Sequence, residues 1–355
     1  MAVDYKKELN TLVDLVLQEQ ASDLHLSVGS HPLIRVSGTL IPLVKKPILT
    51  ESDLNGFIKV LMRDEQYKKF DKSTEVDFSY ENVEGVRFRG NAFYQRGNMA
   101  VALRLIPNVI KNFEELRLPP ILKSFTERSQ GFFLCVGPVG QGKSTTLASM
   151  VNLINQNRPD HIVTIEDPIE YVYEAEKALI DQREIGLDSK DFTTALNAAF
   201  RQDVDVILVG EMRNTETISA AVTAAETGHL VFSTLHTNDA AQTINRIVDS
   251  FPGDQQDQIR IQLASSLIGI FSQRLIPHIA GGLVPAYELL INNAALSNLI
   301  RDNRLHEIPS LIETGLEQGM IDMNRSLVRL VQNGDITVEN AFTYSINPKG
   351  LERLM

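Results

Sequence analysis

The sequence contains, at residues 137–145, the stretch Gly137-Pro138-Val139-Gly140-Gln141-Gly142-Lys143-Ser144-Thr145. It follows the apolar run Phe132–Val136 and precedes the helical segment Thr145–Ile154. A Gly-x-x-x-x-Gly-Lys-Ser motif between a strand and a helix indicates a phosphate loop, because its glycines let backbone N–H groups converge on phosphate oxygens. We therefore expect these residues to bind ATP, with Lys143 at the β- and γ-phosphates and the Ser144 hydroxyl on Mg²⁺.

Further apolar runs follow the loop at His161–Ile165, Val206–Val209 and Leu230–Ser233, separated by helical segments. Continuous apolar runs are typical of strands in a parallel sheet that helices cover on both faces. Together with the phosphate loop they predict a nucleotide-binding α/β core. After about residue 256 we expect a mostly helical region, in which Leu296–Ile300 and Ser326–Val331 have helical apolar spacing.

Polar side chains follow three of these strands, at the edge where open α/β sheets bind their ligands. We expect Glu166 to polarise the attacking water, Glu211 to hold the Mg²⁺ shell together with Ser144, and His236 to contact the γ-phosphate. The residues alone leave alternatives open. Glu166 could cap the turn before Pro168, Glu211 could be a solvated acid, and His236 could be a structural histidine.

The first third of the chain predicts a small mixed α/β domain. Apolar residues at helical spacing indicate a helix over roughly residues 3–19, and Thr50 is a suitable N-cap for a helix over Glu51–Met62. The strand-like runs outnumber these helices and favour an antiparallel or mixed sheet. They are Asp23–Val28, Leu33–Val36, Glu75–Tyr80, Val86–Tyr94 and Met99–Leu105.

A proline-containing stretch connects this domain to the α/β core. Pro107, Pro119 and Pro120 interrupt regular structure, because proline fixes φ and lacks an N–H donor. We expect a short helix at Asn112–Leu116 within the stretch. The predicted domains are therefore residues 1–115 and 116–355.

Length and composition limit the classes of protein to which this chain can belong. The length of 355 residues favours two domains, and the net charge of -11 makes nucleic acid an unexpected partner. One cysteine, Cys135, excludes an internal disulfide and a cysteine-rich zinc site. The apolar runs are too short to span a membrane and no signal peptide is recognisable, so we expect a cytoplasmic protein without an integral membrane segment.

Several motifs in a fixed order resemble those of the type IV pilus retraction ATPases, the PilT family of the secretion-ATPase superfamily. The resemblance extends from residue 21 to about residue 323. Besides the phosphate loop, the matching segments are Ala21–Ser27, the acidic box Thr164–Glu170, the Walker B segment Val206–Arg213, Ala224–His229, and the histidine box Thr234–Asn238 continuing to Ile244–Arg246.

The resemblance implies a PAS-like α+β N-terminal domain followed by a RecA-like P-loop ATPase core with a helical C-terminal region. In this family nucleotide lies between the two domains, and N-terminal arginines reach its phosphates. The matching segments Val86–Phe93 and Arg104–Pro107 make Arg89, Arg96 and Arg104 the candidates. Arg96 lies in a stretch that is shorter here than is usual in the family.

The resemblance also implies a function and partners. Such proteins are hexameric ATP-hydrolysing motors that power type IV pilus disassembly and twitching motility from the cytoplasmic side, at the inner-membrane base of the pilus machine. Expected partners are further copies of the chain, an inner-membrane pilus platform protein and a paralogous retraction ATPase. The alternatives are a conjugation-type or type II secretion-like ATPase and a non-catalytic nucleotide-binding regulator of a motor.

The sequence departs from the family pattern at three notable positions. Val139 and Gln141 stand where the family usually has threonine and serine, and we expect activity to survive because the loop backbone binds the phosphates. Ser297 replaces an arginine of the C-terminal retraction signature, at 295–302. Extension-type relatives carry a four-cysteine zinc site, which a chain with one cysteine cannot build.

Overall fold

The computed structural model describes residues 4–36, 38–106 and 109–355. The chain divides into two compact units, the first ending at Val109 and the second beginning at Ile110. The domain boundary predicted between residues 115 and 116 stays a prediction. Pro107, which was expected to interrupt regular structure, lies outside the described residues.

The first unit is an antiparallel six-stranded sheet with helices, in the strand order β3-β2-β1-β6-β5-β4. Helix α2 begins where predicted, because Thr50 and Asp53 exchange backbone and side-chain hydrogen bonds in a capping box. Strand β3 and helix α3 were not predicted. The elements are α1 (Tyr5–Gln18), β1 (Asp23–Ser27), β2 (Leu33–Val36), β3 (Thr39–Pro42), α2 (Glu51–Leu61), α3 (Asp64–Ser73), β4 (Glu75–Glu81), β5 (Arg87–Gln95) and β6 (Asn98–Ile106).

The second unit contains a seven-stranded sheet in the order β13-β12-β7-β11-β10-β8-β9, parallel except for β13. Its elements up to the third strand are α4 (Lys123–Thr126), β7 (Gly131–Val136), α5 (Lys143–Asn157), β8 (His161–Glu166) and β9 (Leu179–Glu184). Those that follow are α6 (Phe192–Ala199), β10 (Val206–Val209), α7 (Thr215–Glu226), β11 (Leu230–Leu235), α8 (Ala240–Asp249), α9 (Gln256–Ser266), β12 (Leu267–Pro277), β13 (Leu283–Ile291), α10 (Ala294–Arg301), α11 (Ile308–Thr314), α12 (Met323–Gln332), α13 (Val338–Tyr344) and α14 (Pro348–Glu352). Short 3₁₀ turns occupy Pro120–Leu122, Leu305–Glu307 and Leu316–Gln318.

Both faces of this sheet are buried, as the continuous apolar runs predict. Phe132 and Leu134 of β7 face a core formed with α6 to α9, whereas Phe133 and Cys135 face a second core formed with α4 and α5. Successive strand residues point to opposite faces, so a strand covered on both sides is mostly apolar along its whole length. The predicted α+β domain followed by an α/β core is confirmed.

Two local predictions were wrong. Asn112–Leu116 is a turn and not a helix: Asn112 and Glu115 exchange hydrogen bonds, and Arg117 then leaves helical geometry with φ of 51°. The region after residue 256 is not mostly helical until Ala294, because β12 and β13 form a long antiparallel pair. Within the described ranges, no helix is long and apolar enough to cross a membrane.

Candidate nucleotide-binding site

The predicted phosphate loop joins the end of β7, at Val136, to the start of α5, at Lys143. Gly142 has a φ of 76°, the left-handed conformation that favours glycine. Gly137 has no room for a side chain, since a Cβ there would lie 2.4 Å from the backbone oxygen of Gln273. Val139, at the tip of the loop, is exposed. This is the strand–loop–helix context that phosphate binding requires.

Lys143 lies at the mouth of this loop. Its ammonium donates to the carbonyl oxygens of Gly137 and Pro138, each at 2.9 Å, and lies 3.2 Å from Nδ1 of His236. Burial lowers the pKa of Lys143, and the nearby carboxylate of Glu211 acts in the opposite direction. The loop therefore contains an ammonium group whose present partners are weak enough for phosphate oxygens to replace.

Glu166 is the last residue of β8 and is buried. The hydroxyl of Thr164 donates to Oε1 at 2.8 Å, and the backbone N–H of Glu170 donates to Oε2 at 3.1 Å. Burial raises the pKa of Glu166 to about 7, and these two hydrogen bonds oppose the rise. A carboxyl group with a pKa near neutrality and a fixed orientation is suited to accept a proton from water.

Glu211 and His236 lie just beyond β10 and β11. Glu211 forms an ion pair with Arg213, and its other oxygen lies 3.8 Å from Nε2 of His236. Burial, and then the charge of Lys143, lower the pKa of His236. The structure thus brings Lys143, His236 and Glu211 together at the carboxyl edge of the sheet.

The first turn of α5 carries Ser144 and Thr145. Ser144 is half-buried next to Lys143. The hydroxyl of Thr145 forms a 2.8 Å hydrogen bond with that of Tyr171, a contact that the sequence did not predict. The structure thus ties the start of α5 to the segment that follows Glu166.

Sequence analysis also missed Gln273 on β12. Its side-chain amide donates to the backbone oxygen of Gln141, at 2.8 Å, and accepts from the hydroxyl of Thr146, at 2.7 Å. A polar Ser-Gln-Arg stretch interrupts an otherwise apolar run at 267–276, which was the available signal. Gln141 itself uses its side chain, accepting from the N–H of Leu275 at 2.7 Å.

The three candidate arginines belong to the first unit. Arg89 on β5 and Arg104 on β6 are directly opposite in the strand register, and both are exposed. Arg104 also donates to Asp23 at 2.9 Å. Arg96 lies apart from this pair, in the two-residue turn between the strands, with φ of 51°. The structure therefore groups Arg89 with Arg104 but not with Arg96.

Ser297, which replaces a signature arginine, lies on α10 and is half-buried. Its hydroxyl donates to the backbone oxygen of Ala264, near the end of α9, at 2.8 Å. A serine at this position therefore stabilises the packing of α10 on α9, whereas Arg301 on the same helix is exposed.

Comparisons with known proteins agree with this geometry. The profile of the family described as "Type II/IV secretion system protein" matches residues 4–298. The chain is 44% identical over 334 residues to the "Type IV pilus retractation ATPase PilT" of Pseudomonas aeruginosa, covering 94% of this chain and 97% of that protein. It is 46% identical over 311 residues to a "Twitching motility protein" of Neisseria gonorrhoeae, covering 87% and 83%.

A solved structure shows the same likeness in three dimensions. The crystal structure of the pilus retraction motor PilT with bound ADP matches with a TM-score of 0.91 and 47% identity, over 96% of this chain and 98% of that one. The family predicted from the motifs is thus confirmed. The chain belongs to the Type II/IV secretion system protein family and, within it, to the PilT group of retraction ATPases.

Proposed function

We propose that this protein is an ATP-hydrolysing motor that powers the retraction of a type IV pilus. The observation that carries the proposed ATP hydrolysis is the position of Glu166, a buried carboxyl group with a pKa of about 7 at the same sheet edge as the phosphate loop. Phosphate binding needs the loop alone, whereas hydrolysis also needs a group that orients and activates water. Its relatives include a protein named as a pilus retraction ATPase.

Each residue of the site has a proposed part in the reaction. The backbone N–H groups of 137–145 bind the phosphates, and Lys143 exchanges its carbonyl partners for phosphate oxygens. Glu166 orients the attacking water and accepts its proton. His236 senses the γ-phosphate through its contact with Lys143.

A magnesium ion fits the available donors. The Ser144 hydroxyl and the Glu211 carboxylate are oxygen ligands, which Mg²⁺ prefers. Where phosphates supply some of its ligands, Mg²⁺ usually takes only one or two ligands from the protein. In the described part of the chain, no cluster of three or more His, Cys, Asp or Glu residues could hold a metal ion alone. When bound, Mg²⁺ would neutralise charge on the phosphates.

The candidate arginines of the N-terminal domain would act within an assembly of several subunits. We propose a homohexamer in which Arg89 and Arg104, with Arg96 as a further candidate, reach the γ-phosphate in cis or from a neighbouring subunit. Their planar guanidinium groups can stabilise developing phosphoryl charge.

Closure and release of the N-terminal domain would then drive pilus disassembly. The expected partners are an inner-membrane platform protein and a paralogous retraction ATPase, at the cytoplasmic base of the pilus. Nucleic acid is not expected, given the net charge of -11.

The proposal is tested in the organism that carries the gene. Deleting the gene should abolish pilus retraction, measured by fluorescence imaging of labelled pili, and should leave more pili on the surface. The parental gene should restore retraction, whereas a Lys143→Ala variant expressed at the same level should not. Retraction that continues at the parental rate in the deletion strain would contradict a role as the retraction motor.

A further inference from the structure

Strand β12 extends past the end of β7 and contacts the phosphate loop. The two strands are parallel and pair as far as Ser272 and Val136, so Gln273 lies beside Gly137, the first loop residue. Gln273 is 2% exposed. Its amide group donates to the backbone oxygen of Gln141 and accepts from the Thr146 hydroxyl, so one buried side chain connects the loop to the helix that follows it.

Gln141 returns a hydrogen bond to the same strand. Its side-chain oxygen accepts from the backbone N–H of Leu275 at 2.7 Å, while its backbone oxygen accepts from Gln273. In a planar trans peptide the carbonyl and the N–H point in opposite directions. The bond from Gln273 therefore turns the N–H of Gly142 away from β12, and inward-facing N–H groups of this kind bind phosphate oxygens.

The packing between the loop and β12 is close at both ends of the loop. A Cβ on Gly137 would lie 2.4 Å from the backbone oxygen of Gln273, and one on Gly142 would lie 3.0 Å from its side-chain nitrogen. The loop backbone therefore lies directly against β12, with no room for a side chain at Gly137. The loop cannot move away from β12 without breaking the hydrogen bonds of Gln273 and Gln141, and a buried polar group such as the Gln273 amide is costly to leave unpaired.

We propose that Gln273 is a positioning residue for nucleotide hydrolysis. It holds the Gln141–Gly142 peptide in the orientation that binds phosphate, and Gln141 supplies the second bond to β12. The inference rests on the proposed function, because it assigns to β12 a part in forming the site for ATP. Gln273 acts through the loop backbone and does not itself contact the nucleotide.

The test compares Gln273→Met, which keeps the side-chain volume but removes both hydrogen bonds, with the parent protein. We expect the Kd for ADP, measured by calorimetry, and the KM for ATP to rise about tenfold, the factor that corresponds to losing one buried hydrogen bond. Thr146→Val should weaken binding in the same direction. Thr146→Ser keeps the hydroxyl and should bind ADP as the parent does.

Asn324→Leu is the matched control. The buried amide of Asn324, in the C-terminal helices, also donates to a backbone oxygen, that of Asn347, and accepts from a hydroxyl, that of Ser345. This variant should lower the thermal unfolding midpoint without changing the Kd for ADP. A parental Kd in Gln273→Met, or an equal rise in Asn324→Leu, would overturn the inference. Parent protein that binds ADP but never hydrolyses ATP would instead contradict the proposed function, and the ADP titrations would still test Gln273.

Discussion

The ammonium group of Lys143 lies 3.2 Å from Nδ1 of His236. An ammonium group can only donate, so Nδ1 must accept and His236 is neutral, with its proton on Nε2. That nitrogen faces a carboxylate oxygen of Glu211 at 3.8 Å. The phosphate loop is thereby connected through one imidazole to the acid that follows β10, and phosphate bound at Lys143 would change the contacts of all three groups.

This arrangement predicts a pH dependence for stability. Burial and then Lys143 lower the pKa of His236 below its ordinary value of 6.5. Its contribution to stability is therefore complete above pH 6.5 and is lost as the pH falls through the lower folded-state value. Between pH 7.5 and 5.5 the free energy of unfolding should fall more in the parent than in His236→Gln. The difference should be no more than about 1 kcal/mol, because the His236 side chain is partly exposed. Equal losses in the two proteins would contradict this account.

Replacement of the proposed base should separate binding from chemistry. We expect Glu166→Gln to reduce kcat by about 10²–10³, the effect of removing one group that stabilises the transition state, while ADP binds with nearly parental affinity. In the parent, kcat should rise with pH through about 7, since only the ionised carboxylate can accept a proton. Steady-state turnover assays across pH 5.5–8.5 measure kcat and its pH dependence, and calorimetric titration measures the Kd for ADP.

Glu170→Gln provides the control for that prediction. The negative charge of Glu170 raises the pKa of Glu166, after the larger effect of burial. Removing the charge should move the midpoint of the pH–rate profile to lower pH and leave the backbone hydrogen bond from residue 170 in place. A midpoint that does not move would mean that the profile reports a group other than Glu166.

A second buried acid, Glu288, has no proposed part in ATP hydrolysis and should affect only the free energy of unfolding. Glu288 on β13 accepts from the N–H of Ala240, and burial, followed by repulsion from Asp239 and Asp322, raises its pKa from 4.5 to about 7. Its favourable contribution is present below pH 4.5 and is lost as the pH rises through about 7. Glu288→Gln should therefore be more stable than the parent at pH 8, by about 1–3 kcal/mol in urea unfolding, with a smaller gain at pH 5.5. A gain that is independent of pH would contradict the assignment.

The paired arginines of the first unit should differ in their effects. Asp23 is nearly buried and depends on Arg104, its partner at 2.9 Å, with Arg35 farther away at 3.8 Å. Arg104→Ala should lower both kcat and the unfolding free energy, the latter by about 1 kcal/mol. Arg89→Ala, at an exposed position, should lower kcat by about 10²-fold with an unchanged unfolding midpoint. Parental turnover in both variants would exclude the two residues from catalysis.

Each part of the site that the sequence predicted lies within one short segment of the chain. The phosphate loop, Glu166 and Glu211 each lie at the end of an apolar strand or within a few residues of it, so local pattern was sufficient to find them. Gln273 lies 132 residues from Gln141, and only the pairing of β12 with β7 brings the two together. Periodicity within a segment contains no information about such a contact.

The missed strands have a related explanation. β12 is buried by neighbours on both sides, and its apolar residues run together as they would in a buried helix. β9 has the opposite problem: it forms one edge of the sheet, and its sequence, Leu-Ile-Asp-Gln-Arg-Glu, is largely polar. Neither strand alternates between apolar and polar residues, so both required the tertiary structure to be recognised.

The most direct test of the account is steady ATP hydrolysis by the purified protein, with its mass measured by light scattering in the same buffer and Lys143→Ala measured beside it. The account predicts turnover by a six-subunit species that is lost in the variant. A stable assembly that binds ATP without turnover would contradict the motor function and favour a nucleotide-binding regulator. A monomer without turnover would contradict both.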